Sequence, residues 1–212
     1  MFVVGLTGGI ASGKTTIADM FKKEGAYIID IDMISRDVVK PGKPAWCEVV
    51  DIFGKEVLNE NKTLNRTKVG DIVFSDAKKR KKLEKIIHPR IATEKLRRIK
   101  EIVKKDDRAI VIVDIPLLIE TNKQGTVDKV VLVYTSPHGQ VERLMKRDGI
   151  SLEDAYKRLA SQMPIGNKKK YAHYIINNEE PFEQIQKRVK KIFRELKKEE
   201  AKKQKKFEND KV

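Results

Sequence analysis

A short glycine-rich segment near the start of the chain has the strongest chemical signature. Residues 8–15 read Gly-Gly-Ile-Ala-Ser-Gly-Lys-Thr, which matches the spacing Gly-x-x-x-x-Gly-Lys-Ser/Thr of loops that bind phosphate groups. The N–H groups of residues 9–16 can point towards a polyphosphate, with Lys14 reaching its outer phosphates and the Thr15 hydroxyl placed for Mg²⁺. An ordinary glycine-rich turn is the alternative. An apolar segment before the loop and an amphipathic one after it favour binding of a nucleoside triphosphate.

Acidic residues follow two of the expected strands. Asp30 and Asp32 come at the end of one short apolar run, and Asp114 ends a longer one. The carboxyl ends of parallel strands lie at one edge of a sheet, where ligands bind. We therefore expect these carboxylates to converge beside Lys14, where they can orient an acceptor hydroxyl or assist Mg²⁺. For Asp32, capping of the next helix is an alternative that does not exclude catalysis.

Cations on two later helical segments could neutralise a migrating phosphoryl group. Arg143, Lys146 and Arg147 lie on one segment, and a second basic segment follows the pair Asp148-Gly149. A helical hairpin of this kind could supply positive charge and exclude water. A solvated charged face is the alternative interpretation. Among these residues we favour Arg147, with Arg143 second.

Apolar runs of strand length alternate with helical patterns, which predicts a parallel α/β sheet. The expected strands are residues 2–7, 27–30, 109–113, 129–134 and 174–176. Helices are expected between them, and Pro89 should kink or split the one predicted over residues 75–103. A C-terminal helix begins near Phe182. After Leu196 its apolar stripe ends, and residues 197–212 are expected to form a solvated or frayed lysine-rich tail.

Composition places the chain among folded proteins with anionic partners. It has 212 residues, of which 40% are hydrophobic, and Lys+Arg 46 against Asp+Glu 31 gives a formal net charge of +15. The charge favours nucleotides, nucleic acid or acidic lipid without choosing among them. Cys47 is the only cysteine, which together with the lack of a signal-like or membrane-length apolar segment predicts a cytoplasmic protein.

A phosphate-binding loop alone does not distinguish a GTPase or a motor from a kinase. The sequence Asn-Lys-x-Asp, which reads a guanine base, does not occur, and a compact kinase of a small molecule fits the length best. Two alternatives stay open, namely another nucleotide or nucleoside kinase and a basic nucleic-acid-binding protein. Against the second, the basic residues are dispersed and aromatic residues make up only 6%.

Several motifs together resemble the dephospho-CoA kinase family. The phosphate-binding loop, preceded by Thr7, and the Asp-x-Asp segment with Arg36 carry the first part of the resemblance. The remainder lies in residues 88–89, 114–120, 147–149, 162–164 and 172–177. The resemblance implies an α/β P-loop NTPase fold with a five-stranded parallel sheet flanked by helices. It also implies a single domain over residues 1–196, with a helical acceptor-binding insertion at about 33–103 and a lid at about 143–170.

The resemblance further implies transfer of the ATP γ-phosphate to the ribose 3′-hydroxyl of dephospho-CoA, with Mg²⁺. Its partners would be ATP and dephospho-CoA, with no membrane, no nucleic acid, and a monomeric or weakly oligomeric state. The implied catalytic residues are Lys14, Asp32 and Arg147. The implied nucleotide-binding residues are Gly9, Ile10, Ala11, Ser12, Gly13, Lys14, Thr15, Thr16, Arg143 and Asn177. The implied acceptor-binding residues are Thr7, Asp32, Arg36, His88, Pro116 and Leu117, and Mg²⁺ would be held by Thr15 and, through water, Asp114.

Two positions depart from the family's pattern. His173 stands where the family usually has Asp, and residues 166–170 lack the usual acidic character. His88 has a second interpretation, in which it only packs or caps beside the proline.

Overall fold

The structure is a computed structural model that describes residues 1–209 of the chain. It divides into two compact units. The first contains Met1–Ile29 and the described part of Ile102–Val212, and the second is Asp30–Glu101. The second unit covers nearly the same residues as the predicted acceptor-binding insertion.

The first unit is built on a five-stranded sheet with the strand order β2-β3-β1-β4-β5. Strand β1 pairs in parallel with β3 and β4, and β4 pairs in parallel with β5. The inner strands β1, β3 and β4 are rich in Val and Ile and are almost fully buried, as expected for a sheet covered on both faces, whereas the outer strands β2 and β5 are half-buried. The predicted fold class is therefore confirmed. The strands are β1 (Phe2–Gly8), β2 (Tyr27–Asp30), β3 (Ile110–Asp114), β4 (Lys129–Tyr134) and β5 (Tyr174–Asn177).

Helices follow the strands along the chain. The helices of the described residues are α1 (Lys14–Lys23), α2 (Ile31–Asp37), α3 (Pro44–Phe53), α4 (Arg66–Ser75), α5 (Ala77–Lys105), α6 (Pro137–Asp148), α7 (Leu152–Ala160), α8 (Ile165–Lys168) and α9 (Phe182–Asn209). Short 3-10 helices occupy Lys55–Val57, Gln124–Thr126 and Lys169–Tyr171. None of the described helices has the length and apolar character that crossing a membrane requires.

Among the described residues of the first unit, two apolar clusters contribute to stability. In the larger one, α1 and α9 pack on the sheet, and Phe21, Ile192 and Leu196 are almost fully buried there. In the smaller one, Val141 and Leu144 of α6 pack with Ala155 of α7. This second cluster gives the predicted lid hairpin its own apolar contacts.

The second unit is helical and has a separate apolar cluster centred on Val49, Phe53 and Val69. Helix α5 continues through Pro89 as one helix of 29 residues, so the expected split does not occur. Proline removes one backbone donor from the helix. In the following residue, the Arg90 guanidinium donates to the Ile86 carbonyl at 2.7 Å, which supplies an extra hydrogen bond at this turn.

The residues that follow Leu196 are helical and not frayed as far as the structure describes them, although many of them are exposed, as a solvated tail predicts. Helix α9 extends to Asn209, while residues 210–212 lie outside the described part. Glu200 is only 4% exposed and forms an ion pair with the amino terminus at 3.4 Å. Lys203 pairs with Asp128 at 2.5 Å. Polar and ionic contacts replace the apolar stripe here, which an apolar pattern cannot indicate.

His173 connects two strands through its ring. The ring Nδ1 accepts a hydrogen bond from the N–H of Val130 at 3.1 Å, and the backbone N–H of His173 donates to the Val130 carbonyl at 2.9 Å. Burial and the nearby Lys129 ammonium lower the pKa of His173, while Glu199 acts in the opposite direction. An Asp at this position, as in the family's pattern, could accept the same bond, so the departure conserves the contact.

The lowered pKa of His173 predicts a loss of stability in acid. The folded protein favours the neutral ring, so His173 contributes stability above the ordinary pKa near 6.5 and loses it as pH falls through the lower folded value. We expect the free energy of unfolding to fall less between pH 7.5 and pH 5.5 in His173→Asn, which keeps an acceptor that does not titrate. His173→Ala should lose about 1 kcal/mol at pH 7.5, the net value of one hydrogen bond. Urea unfolding at both pH values measures these effects, and identical pH dependence in wild type and His173→Asn would contradict them.

Candidate active site

The segment between β1 and α1 has the backbone of a phosphate-binding loop. Ala11 and Gly13 adopt positive φ angles of 56° and 84°, and the N–H of Ser12 donates to the Gly9 carbonyl at 3.2 Å. Gly13 is the N-cap of α1 and offers no side chain to the first N–H groups of the helix. These N–H groups can therefore donate to an anion, which the positive end of the helix dipole also attracts.

The loop glycines are required by their neighbours and, at Gly13, also by the positive φ angle. A Cβ on Gly9 would overlap the amide of Gln140, and one on Gly13 would overlap the amide of Asn178. A Cβ on Gly8 would lie 2.8 Å from the Val133 carbonyl oxygen. The three glycines let the surrounding side chains approach the backbone of the loop.

Side-chain amides from distant elements bind the outer side of the loop. Gln140 Nε2 donates to the Ile10 carbonyl at 2.7 Å, and Gln162 Oε1 accepts from the Ile10 N–H at 2.9 Å. Asn178 Nδ2 donates to the Ser12 carbonyl at 2.8 Å. Because these carbonyls are engaged from outside, the loop is held in one backbone conformation. The sequence analysis missed Gln140 and Asn178, whereas Gln162 lay in one of the quoted motifs.

The predicted residues of the first unit that lie at this loop differ in their exposure to solvent. Lys14 is half-buried and Thr15 and Thr16 are exposed in the first turn of α1. By contrast, Thr7 is fully buried, and its hydroxyl donates to the Pro116 carbonyl at 3.2 Å. Thr7 thus connects the ends of β1 and β3.

The turn after β3 contains further predicted residues. Asp114 is the last residue of β3 and is in register with Leu6 of β1, next to the strand end from which the loop begins. Pro116 follows in the turn, and Leu117 is 43% exposed. The carboxylate and the exposed apolar side chain therefore lie at the carboxyl edge of the sheet, as expected.

Arg143, which the sequence analysis ranked second to Arg147, belongs to the hydrogen-bond network around the loop. Its guanidinium donates to the Asn178 carbonyl at 2.7 Å and to the Thr135 hydroxyl at 3.3 Å. Since Asn178 and Thr135 both bind the Ser12 carbonyl, Arg143 belongs to the same hydrogen-bond network. Asn177 accepts from the Glu179 N–H at 3.3 Å in the turn after β5, and its role in nucleotide binding stays a prediction.

Arg147 forms a salt bridge one helical turn further on. Its Nε lies 2.7 Å from Asp148 Oδ1, and Arg158 of α7 lies 2.6 Å from the other oxygen of Asp148. The hydrogen bond from Arg147 lowers the pKa of Asp148. This carboxylate joins α6 to α7 across the hairpin, and the role of Arg147 towards a phosphoryl group stays a prediction.

A buried ion pair ties the segment after α7 to the loop. The Lys168 side chain is 0% exposed, with Nζ 2.6 Å from Glu120 Oε1 and 3.3 Å from the Gly8 carbonyl. Lys169 lies 4.0 Å from the centre of the Tyr134 ring. Residues 166–170 are therefore not a plain solvated charge run, and Lys168 was missed because its partners are far away in sequence.

In the second unit, the capping residue is Asp30. Its Oδ1 accepts from the Met33 N–H at 3.0 Å at the start of α2, so the alternative interpretation of Asp32 as this cap is wrong. Asp32 is exposed in the first turn of the helix, and Arg36 follows one turn later. His88 is exposed on α5. Asp32 and Arg36 are thus exposed on α2, and neither side chain caps the helix.

The parallel sheet and the loop define a P-loop protein of the α/β class. The family model described as dephospho-CoA kinase matches residues 2–184. The chain belongs to the dephospho-CoA kinase family. A dephospho-CoA kinase of Syntrophus aciditrophicus is 45% identical over 200 residues, which cover 94% of this chain and 85% of the relative.

Further relatives agree over most of the chain. A dephospho-CoA kinase of Bacillus thuringiensis subsp. konkukian is 48% identical over 177 residues, covering 84% of this chain and 88% of the relative. The structure of a dephospho-CoA kinase from Campylobacter jejuni is similar with a TM-score of 0.68 at 28% identity, covering 92% of this chain and 97% of that one.

Removing Lys168 should destabilise the fold. Lys168→Met leaves the Glu120 carboxylate buried without its cation, and we expect the free energy of unfolding to fall by about 3–5 kcal/mol. Lys168→Met combined with Glu120→Gln removes the charge as well and should recover most of that loss. Urea unfolding of both variants measures the effect, with the exposed Lys170→Met as control. Equal midpoints for Lys168→Met and Lys170→Met would contradict this prediction.

Proposed function

We propose that the chain transfers the γ-phosphoryl group of ATP directly to the ribose 3′-hydroxyl of dephospho-CoA, giving coenzyme A and ADP. The match to the dephospho-CoA kinase family over residues 2–184 carries this proposal. The phosphate-binding loop supports ATP as the donor. The alternative of a kinase for other nucleotides or nucleosides is not favoured by these relatives.

The loop supplies most of the proposed catalysis by positioning and electrostatics. Lys14 and the loop N–H groups other than those of Ile10 and Ser12, which donate within the protein, take up negative charge on the phosphates. A loose phosphoryl-transfer transition state requires such stabilisation. Gln140, Gln162 and Asn178 act through the loop backbone by holding it ready for the nucleotide. Arg143 and Arg147 are the proposed cations for the migrating group.

Asp32 is the proposed group that orients the acceptor. An exposed carboxylate can accept a hydrogen bond from the 3′-hydroxyl and take its proton as the bond to phosphorus forms. Because little covalent assistance is needed in such transfers, orientation matters more than strong basicity. Cys47 is exposed on a helix of the second unit and has no role in this proposal.

Mg²⁺ is the proposed metal, and the donor set fits it. The described residues contain no cluster of three or more His, Cys, Asp or Glu that could enclose a metal ion. Mg²⁺ bound with nucleotides needs only one or two protein oxygens because phosphates and waters supply the rest. The Thr15 hydroxyl and, through water, Asp114 are the oxygens proposed here. When bound, the metal neutralises charge on the phosphates.

The setting of the proposed activity follows from its substrates. Both proposed substrates are charged, water-soluble molecules. We propose that the protein acts on them in the cytoplasm, as a monomer or weak oligomer.

Substitutions of Asp32 and Lys14 should separate acceptor orientation from ATP binding. We expect Asp32→Asn to lower kcat by about 10²–10⁴-fold, the usual contribution of a positioned acid–base group, while ATP binding is retained. Lys14→Ala should lower kcat and also weaken the binding of ATP. Coupled measurement of ADP formation with dephospho-CoA, and calorimetry with ATP, give the two quantities. Asp19→Asn, an exposed acid on α1, is the control, and near-normal turnover in Asp32→Asn would remove Asp32 from the mechanism.

A further inference from the structure

A cavity in the second unit is lined by three cations. Its volume is about 510 Å³, and Arg36, Lys40 and Arg66 contribute the charged side chains. The remaining lining residues are uncharged: Val39, Pro41, Thr63 and Leu64. The cavity therefore combines concentrated positive charge with apolar walls.

Two of these cations lack the carboxylate partners that three other arginines of this unit have. Arg90 pairs with Glu48 at 2.5 Å, Arg97 with Glu94 at 2.7 Å, and Arg98 with Asp37 at 2.7 Å. Among the described residues, no carboxylate forms an ion pair with Arg36 or Arg66. Lys40 differs, because it pairs with Asp37 at 2.7 Å. The two arginines are thus available to a ligand.

Arg36 and Arg66 repel each other at this cavity. Partial burial and the positive charge of Arg36 lower the pKa of Arg66, while Asp32 acts in the opposite direction. Arg66 is also the first residue of α4, where the helix dipole presents its positive end. A doubly charged anion would relieve this repulsion, and two guanidinium groups suit the bidentate binding of phosphate oxygens.

The spacing on α2 relates this cavity to the proposed acceptor. Asp32 and Arg36 are four residues apart on one helix face, which places their Cβ atoms about 5–6 Å apart. In a nucleotide, the 3′-hydroxyl and the 5′-phosphate project from opposite ends of one ribose ring. Dephospho-CoA carries a diphosphate at that 5′ position.

We propose that Arg36 and Arg66 bind the 5′-diphosphate of the acceptor in this cavity while Asp32 engages its 3′-hydroxyl. The inference rests on the proposed function and adds Arg66 as a specificity-determining residue. It predicts that an acceptor with a diphosphate ester is selected over a nucleoside that has the same hydroxyl. Since the two arginines lie on different elements, the diphosphate would also hold α2 and the start of α4 in one arrangement.

The test compares Arg36→Gln and Arg66→Gln with the exposed Arg80→Gln of the same unit. We expect each of the first two substitutions to raise the KM for dephospho-CoA by about ten- to a hundredfold, the loss of a hydrogen bond to a charged group, with the KM for ATP unchanged. Arg66→Lys should recover only part of the loss because it cannot bind in bidentate fashion. Arg80→Gln should leave both constants unchanged.

A second measurement distinguishes loss of the diphosphate contact from a general distortion of the site. Adenosine, which lacks the diphosphate, is used as an inhibitor competing with dephospho-CoA at saturating ATP. Its inhibition constant should be the same in wild type and Arg66→Gln. An unchanged KM for dephospho-CoA in both glutamine variants, or an equal rise in the adenosine inhibition constant, would overturn the diphosphate assignment. Absence of dephospho-CoA turnover by the unaltered protein would instead overturn the proposed function, and with it this inference.

Discussion

The structure of the phosphate-binding loop depends on keeping its carbonyl groups occupied from outside. Gln140 and Asn178 donate to the carbonyls of Ile10 and Ser12, and Lys168 donates to that of Gly8. Backbone carbonyls that turned inward would repel a polyphosphate, so their outward engagement is a condition for anion binding. The amides of Gln140 and Asn178 can approach because Gly9 and Gly13 have no Cβ, which connects the composition of the loop to its surroundings.

The same contacts connect the loop to the segments that follow it. Gln162 lies directly after α7, and Lys168 ends α8, so two residues of the segment after the hairpin contact the loop. The pair between Lys168 and Glu120 adds the turn after β3. A movement of the hairpin would therefore act on the phosphate-binding backbone through these hydrogen bonds. A buried ion pair is costly to break by removal of one partner, which makes this connection stiff.

The sequence predicted what depends on local pattern and missed what depends on distant contacts. The five strands and the glycine loop were recognisable because apolar runs and residue spacing act over a few positions. Gln140 and Asn178 contact loop residues 130 and 166 positions away, so no local signal marks them. Arg66 was overlooked for a related reason, since its significance lies in a missing carboxylate. Polar contacts beyond Leu196 likewise continued α9 after its apolar stripe had ended.

The positive charge of the chain becomes informative only when each cation is considered with its neighbours. A net charge of +15 could not choose between nucleotide and nucleic acid. In the second unit, Arg98 is neutralised by Asp37 and serves the fold, whereas Arg36 and Arg66 face a cavity without such a partner. In the first unit, Lys168 is buried against a carboxylate. Specific anion recognition therefore depends less on the number of cations in the sequence than on which of them have no carboxylate within ion-pair distance in the fold.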